Sequence, residues 1–305
     1  MIKVAVLMVT FNGERYIEEQ LASILDQRLD DDIALDIYVR DNASTDNTVA
    51  ILNKYKKENK IKLKLLENDG PAVSFLSLIK EATGYDYYFL CDQDDYWNEE
   101  KVRISLDRME NNKVPTMFFS NAELVNEKME TMNCTVYKKE PPHDLMTIAC
   151  SGGILGCTVA FNSELRKYIL NIPLNKEQII MHDFLLALVC AAVNGKVIYY
   201  DKTLVKYRQH GNNVVGVSLS LRSKLLARLK NVYKKNDISI SEQTELVLDT
   251  LKDYIPNNNI NKLKRVANYR KNILTKLSLA FSSQIKYYSV GSFISVRLGI
   301  LMGNI

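Results

Sequence analysis

With 305 residues, 47% apolar and 25% charged, the chain can bury a sizeable core and is neither a disordered nor a fibrous sequence. The net charge of +4 is unevenly spread: from Leu221 to Ile305, Lys and Arg outnumber Asp and Glu fifteen to five, so the body before that stretch is net acidic. An acidic body and a tail without a recognisable nucleic-acid motif exclude nucleic acid as the expected partner. Five cysteines, odd in number and without a Cys-x-x-Cys pair, read as free thiols in a reducing compartment. There is no leader-like start and no run of about 18 apolar residues, so the expected location is cytoplasmic, with peripheral contact to the inner face of a membrane left open.

Lys3 to Phe11 is a nearly continuous apolar run, the pattern of a parallel strand buried on both faces. Asn12-Gly13 breaks it, and Tyr16, Ile17, Leu21, Ile24 and Leu25 recur at helical spacing up to Asp26. Ile33 to Val39 is a second strand, ending in Arg40-Asp41-Asn42-Ala43-Ser44-Thr45-Asp46. Thr45 or Asp46 caps the next helix, which runs to about Asn59. Lys62 to Leu66 is a third strand, and Pro71 opens a helix that stops at Gly84. Tyr85 to Leu90 is a fourth strand and delivers Cys91-Asp92-Gln93-Asp94-Asp95. Four strands alternating with three helices imply a doubly wound, mostly parallel α/β sheet. Neither a G-x-G-x-x-G nor a P-loop sequence is present, so this is not the usual dinucleotide or nucleotidase version.

The second half reads as more mixed. A helix spans Asn98 to Asn111 and a short strand Thr116 to Ser120. Residues 121–145 read as irregular, with a flexible loop and Pro141-Pro142. Cys150 to Phe161 reads as a loop and a strand rich in small residues. A strongly apolar helix follows from Met181 to Val193 with His182-Asp183 at its start. Two strands, Lys196 to Tyr200 and Thr203 to Tyr207, lead into Arg208-Gln209-His210-Gly211-Asn212. Beyond Ser218 the pattern becomes basic amphipathic helix, and Tyr287 to Met302 is aromatic and aliphatic. The basic tail reads either as a membrane-surface segment or as a helical cap with a solvated face.

Three carboxylates within four positions at a strand end raise one another's pKa unless a cation relieves them. Asp92, Asp94 and Asp95 therefore read as one wall of a metal–diphosphate site, against the alternative of a solvated acidic loop. Thr10, Asn12 and Asp41 lie at the ends of adjacent strands, where a carboxylate can accept the imide N–H of a pyrimidine base. Asp183 serves either as a helix cap or as a proton acceptor. Arg208 and His210 offer charge-assisted hydrogen bonds to a diphosphate. A hydrolase would need neither the metal triplet nor the base-recognition edge.

Taken together, Phe11-Asn12-Gly13, Asp41 to Thr48, Cys91 to Asp95, His182-Asp183-Phe184 and Tyr207 to Asn213 resemble a family 2 glycosyltransferase of the GT-A fold. Their order resembles the bacterial rhamnosyltransferase-like branch that builds surface polysaccharides. The resemblance implies a GT-A catalytic domain over 1–215, split into a nucleotide-binding half (1–97) and an acceptor-side half (98–215), with a basic helical region over 216–305. It implies Thr10, Asn12 and Asp41 at the base and ribose, Asp92 toward the ribose, and Asp94 on Mg²⁺ or Mn²⁺. His210 would close over the diphosphate and join the metal ligands, with Arg208 beside it, and Asp183 would be the general base. His182 stands where many relatives carry Glu. The expected reaction is inverting transfer of a sugar, rhamnose from dTDP-rhamnose, to a glycan or lipid-linked oligosaccharide acceptor. The alternatives are a UDP-hexose donor on the same fold and a non-catalytic nucleotide-sugar-binding assembly subunit.

Overall fold

The computed structural model describes residues 1–110, 113–211 and 239–305. The basic helix expected around Leu221 to Lys235, and Asn212, lie outside the described residues. The first half follows the sequence pattern closely. β1 (Ile2–Thr10), α1 (Ile17–Leu25), β2 (Ile33–Asn42), α2 (Thr48–Lys57), β3 (Lys62–Leu66), α3 (Pro71–Glu81) and β4 (Tyr87–Cys91) alternate as expected. Asp46 accepts from the backbone N–H and the hydroxyl of Thr48, which starts α2. Pro71 sits in the first turn of α3, where its missing N–H costs nothing.

The second half comprises β5 (Tyr96–Trp97), α4 (Lys101–Met109), β6 (Thr116–Val125), β7 (Thr131–Thr135), α5 (Leu145–Ser151), β8 (Ala160–Asn162), α6 (Ser163–Ile169), α7 (His182–Ala192) and β9 (Lys196–Arg208). Among the described residues after β9 are four helices: α8 (Ile240–Leu251), α9 (Asn257–Ala267), α10 (Ile273–Ala280) and α11 (Val290–Met302). Among the described residues, nine strands form one sheet in the order β3-β2-β1-β4-β8-β6-β9-β5, with β7 paired to β6.

The doubly wound, mostly parallel sheet is as expected, with short antiparallel joins added: β1–β2, β1–β4, β2–β3 and β6–β9 are parallel over long registers, while β4–β8, β6–β8, β6–β7 and β5–β9 are antiparallel over two or three residues. The chain reaches β8 from the carboxyl edge of β4 and so runs back down the sheet. Three expectations about the second half are corrected. Residues 121–145 are not irregular throughout: β6 continues to Val125 because Ala122 and Leu124 are buried, and Asn126–Met129 turns the chain into β7. The two strands expected at 196–207 are one, β9, whose pairing with β6 shifts register around Asn121. The segment from Cys150 also differs, because α5 ends there, capped at its start by Asp144.

β1 shows why this sheet is the core. Ala5 and Leu7 face a cluster shared with α3, α5 and α7, while Val4, Val6 and Met8 face the cluster under α1 and α4. The helices α8 to α11 add Val247, Leu251, Leu263, Val266 and Ile300, all essentially buried, to the α7 side.

Candidate active site

Parallel strands end at a common edge. Thr10 at the end of β1 is register partner of Asp41 near the end of β2, and Met8 is partner of Cys91, where β4 stops. The strand order reverses between β1 and β4, which is where open α/β sheets hold ligands. The loops after these strands form one surface.

On the β1–β2 side, Asp41 is fully buried. Its Oδ2 accepts from the hydroxyls of Thr10 (2.8 Å) and Ser44 (2.6 Å), and its Oδ1 accepts from the Ser44 backbone N–H (2.9 Å). Asn12 sits at φ 49°, a conformation Asn tolerates better than most residues, and its side-chain carbonyl accepts from Thr45 N–H at 2.8 Å. Thr10, Asn12 and Asp41 are thus brought together, and in this structure they organise the loop 43–46 (Ala43 to Asp46).

Gln93, which the sequence reading passed over, joins this loop to the acidic one. Its side-chain amide clasps the backbone of Phe11, accepting from the N–H at 2.9 Å and donating to the carbonyl at 3.0 Å. A Cβ on Gly13 would stand 2.2 Å from the Gln93 Oε1, so glycine is required there for the clasp to close.

Within the acidic loop the three aspartates have different surroundings. Asp95 is fully buried; its Oδ1 accepts from the Arg208 backbone N–H at 3.0 Å, and its Oδ2 has only the Cys157 thiol beside it. Burial, then Asp94 and Asp92, hold the Asp95 carboxyl well above the usual carboxylate range. Asp92 is pushed up to about 7 by burial and by the charges of Asp94 and Asp183, against the pull of Lys101. Asp94 turns the other way, its Oδ2 2.8 Å from His210 Nε2, and the His210 ring stacks on Tyr16.

Lys101 is the second residue missing from the sequence reading. It is fully buried under the acidic loop, with its Nζ donating to the Cys157 carbonyl at 2.8 Å and 3.6 Å from the centre of the Trp97 ring. Burial pulls its pKa down to about 8, opposed by Cys91, Cys157, Asp95 and Asp92. Trp97 and Lys101 are four residues apart, and the alternating charges of α4 hid the one cation that faces inward.

Arg208 makes protein contacts of its own. Its guanidinium donates to the Asp94 carbonyl (2.8 Å), the Glu127 carbonyl (2.7 Å) and the Glu19 carboxylate, and it lies over the Tyr16 ring. Three of its five N–H donors are used in these bonds, which fix the acidic loop against α1 and the turn that carries Glu127.

Asp183 enters from the first turn of α7. Its Oδ1 accepts from the Phe184 N–H at 2.7 Å, and its carboxyl also takes the Gly156 N–H. Burial raises it to about 6, against those backbone donors. A Cβ on Gly156 would lie 3.1 Å from the Asp183 Oδ2 and 3.3 Å from the His182 Nε2. His182 stacks on Phe75 with ring centres 4.0 Å apart, neither ring nitrogen has a partner, and burial pushes its pKa down to about 3. It is a neutral imidazole with two unused polar atoms beside the Asp183 carboxyl.

The donor set fits a hard divalent cation. One carboxylate oxygen each from Asp92 and Asp95 and the Cys157 sulfur lie within 4.8 Å of one another, and the Asp95 Oδ2 lacks an N–H or O–H donor. Asp94 and His210 supply a second oxygen and imidazole pair close by. Carboxylate oxygens suit Mg²⁺ or Mn²⁺, and a buried carboxyl that resists ionisation alone is relieved by such a charge.

The model of glycosyl transferase family 2 matches residues 5–169, more than half of the chain and all four aspartates of the strand-end loops. The chain belongs to glycosyltransferase family 2. A dTDP-rhamnosyl transferase, RfbG of Shigella flexneri, is 28% identical over 253 residues, covering 76% of this chain and 82% of that one. The poly(ribitol-phosphate) β-N-acetylglucosaminyltransferase TarS of Staphylococcus aureus is 33% identical over 105 residues, which are 34% of this chain and 18% of that protein. Among solved structures, TarS residues 1–349 with UDP-GlcNAc superimposes with a TM-score of 0.56 at 17% identity, over 97% of this chain and 90% of that one. The mannosyltransferase PcManGT of Pyrobaculum calidifontis, in complex with GDP-Man and Mn²⁺, gives 0.51 at 16% identity, over 97% and 73%. The fold is GT-A, and the family 2 chain is a glycosyltransferase.

Proposed function

We propose that this family 2 glycosyltransferase moves rhamnose from dTDP-rhamnose to a glycan or lipid-linked acceptor hydroxyl, in a single inverting displacement that depends on a divalent cation. The observation that carries the reading is the approach of Asp183 to the acidic loop, near enough for its charge to raise Asp92. A proton acceptor then faces the place where a diphosphate leaves. The similarity to a dTDP-rhamnosyl transferase over 82% of its length supports the donor.

The geometry supports the following roles. Thr10, Asn12 and Asp41 border the base and ribose, and Asp92 lies between them and the acceptor side. Asp94 with His210, and Asp92 with Asp95, would hold Mg²⁺ or Mn²⁺, which when bound neutralises the diphosphate oxygens and acts as a Lewis acid. The acceptor oxygen attacks the anomeric carbon from the face opposite the diphosphate, and the bond from that carbon to the diphosphate oxygen breaks. The nucleotide leaves as its diphosphate, and the hydroxyl proton passes to the Asp183 carboxylate. A positioned base of this kind accounts for about 10²–10⁴-fold in rate. Arg208 fixes the acidic loop and stands beside the diphosphate.

The test compares dTDP- and UDP-linked sugars by thermal shift and by transfer, with Mg²⁺, Mn²⁺ or chelator. A ligand that binds only the folded chain raises its melting temperature. The expected result is a cation-dependent shift and transfer with dTDP-rhamnose. Transfer only from a UDP-hexose overturns the donor, and donor binding without transfer to any acceptor points instead to an assembly subunit.

A further inference from the structure

The last two helices carry apolar ridges on the face that the fold leaves uncovered. In α10 and just past its end, Ile273, Leu277 and Phe281 recur every four residues, and all three are exposed, Ile273 at 62% and Phe281 at 63%. In α11, Val290, Ile294 and Leu298 repeat the spacing and are also exposed, Val290 at 77% and Ile294 at 50%. Residues at i, i+4 and i+8 share one helix face. A single exposed leucine is ordinary; two ridges with this period are the signature of a surface that meets something apolar.

The ridges belong to one structure. Arg297 of α11 lies over Phe293 at 4.0 Å and over Phe281 at 5.3 Å, so the end of α10 meets the middle of α11. Lys276 of α10 reaches the Gly303 turn that ends α11. The two helices therefore run as an antiparallel pair. Leu279 and Ala280 of α10, and Gly299 and Ile300 of α11, hold the pair to the core on its other side. No described residue covers the outer side.

The charge says what does. From Pro256 to Ile305 there is no Asp or Glu at all, while Lys271 stands just before α10, Lys276 and Arg297 on the two helices and Lys286 between them. A second copy of the chain would present the same patch to itself and bring like charges together. An anionic bilayer offers both halves of the complement: hydrocarbon for the ridges and negative headgroups for the cations. At 13 residues α11 is about 20 Å long, too short to cross a bilayer, so it lies in the interface.

We propose that α10 and α11 form an interfacial membrane-docking surface that seats this enzyme on anionic phospholipid through the Ile273 and Val290 ridges. The proposal is independent of the donor sugar and of the catalytic roles above.

The test is flotation of the full chain with vesicles of phosphatidylglycerol in phosphatidylcholine and of phosphatidylcholine alone, at low and high salt. The wild type is expected to float with the anionic vesicles at low salt. Ile273→Ser together with Ile294→Ser is expected to lower the bound fraction at least about tenfold, and Lys271→Gln about fivefold. Melting temperature and transfer to a water-soluble acceptor stay unchanged, because both serines replace exposed side chains. Failure of the wild type to bind anionic vesicles overturns the proposal. So does equal binding by the double variant, which would put any membrane contact elsewhere in the chain. Self-association in sedimentation velocity that the same substitutions abolish also overturns it, in favour of a second copy.

Discussion

Burial lifts the Asp183 carboxyl to about 6, so as the proposed base it is ionised at neutral pH and still basic enough to take a proton. Transfer is therefore expected to fall as pH drops through about 6, in a profile of kcat/KM taken with saturating cation. Asp183→Asn keeps the shape and removes the base: donor affinity by calorimetry stays within about twofold while transfer falls at least about a hundredfold. Undiminished transfer in that variant removes Asp183 from the chemistry. Lys101 gives a second residue-scale expectation. It is the buried cation whose charge pulls Asp92 down, and its Nζ donates to the Cys157 carbonyl. Lys101→Met leaves that carbonyl without its donor, which costs about 1–3 kcal/mol, read from the urea midpoint. Adding Asp95→Asn removes a carboxyl that interacts with the same cation, so the double variant is expected to be more stable than the sum of the single effects. The Asp92 carboxyl works in the opposite sense to an ordinary salt-bridged acid. Its folded-state pKa of about 7 lies above the usual 3.8, so the folded chain holds the extra proton across that window and loses stability as pH rises through it. Metal-free protein should melt lower at pH 7.5 than at pH 5.5, with Mn²⁺ restoring more at the higher pH.

At the scale of elements, the first half was legible because β1 and β4 are buried on both faces and read as solid apolar runs bounded by turn residues. Thr10, Asp41 and Asp92 could be placed at one edge from the sequence pattern, since parallel strands end together. The second half hid its pairing. β9 carries exposed Lys206 beside buried Val205 and Tyr207, and the register shift opposite Asn121 interrupts the alternation that marks a single strand. β7 is too exposed to show an apolar run at all. Site residues went unseen for a related reason: Gln93, Lys101 and the structural role of Arg208 depend on what the loops touch, and a polar residue in a loop has no period. The turn of 3₁₀ helix at Gly156–Thr158 shows how an element sets the chemistry. Its Gly156 N–H meets the Asp183 carboxyl, and the missing Cβ leaves the space in which that carboxyl sits. Gly156→Ala should displace Asp183 by a few tenths of an ångström. The expected effect is about a tenfold loss of transfer, with melting temperature and donor affinity little changed. A loss of donor affinity instead of rate would assign that turn to the donor side.

Across the whole molecule, the helices after residue 239 hold the element that carries Asp183. Gln243 in α8 is fully buried, and its side-chain carbonyl accepts from the Ile180 N–H at 2.7 Å, two residues before α7 begins. At the other end of α7, the Asn259 side chain donates to the Ala192 carbonyl at 3.0 Å and closes an unpaired helix end. Between these two clamps, Val247, Leu251, Leu263 and Val266 bury themselves in the same core as Leu185, Leu188 and Val189 of α7. The basic composition of the region gave no sign of this, because its cations lie on the outer faces and its core contacts are few per helix. The region is accordingly expected to be inseparable from the fold: a chain ending at residue 238 would expose that apolar surface and should not show a cooperative melt. The finer test keeps the chain whole. Gln243→Leu leaves the Ile180 N–H buried without a partner, which costs about 1–3 kcal/mol and loosens the start of α7. If the clamp positions the base, kcat should fall with donor affinity unchanged, while Asn259→Ala at the far end of α7 should cost stability with less effect on rate. Equal losses of rate from the two substitutions would mean that α7 moves as one body, and that the position of Asp183 is set by packing along the whole helix.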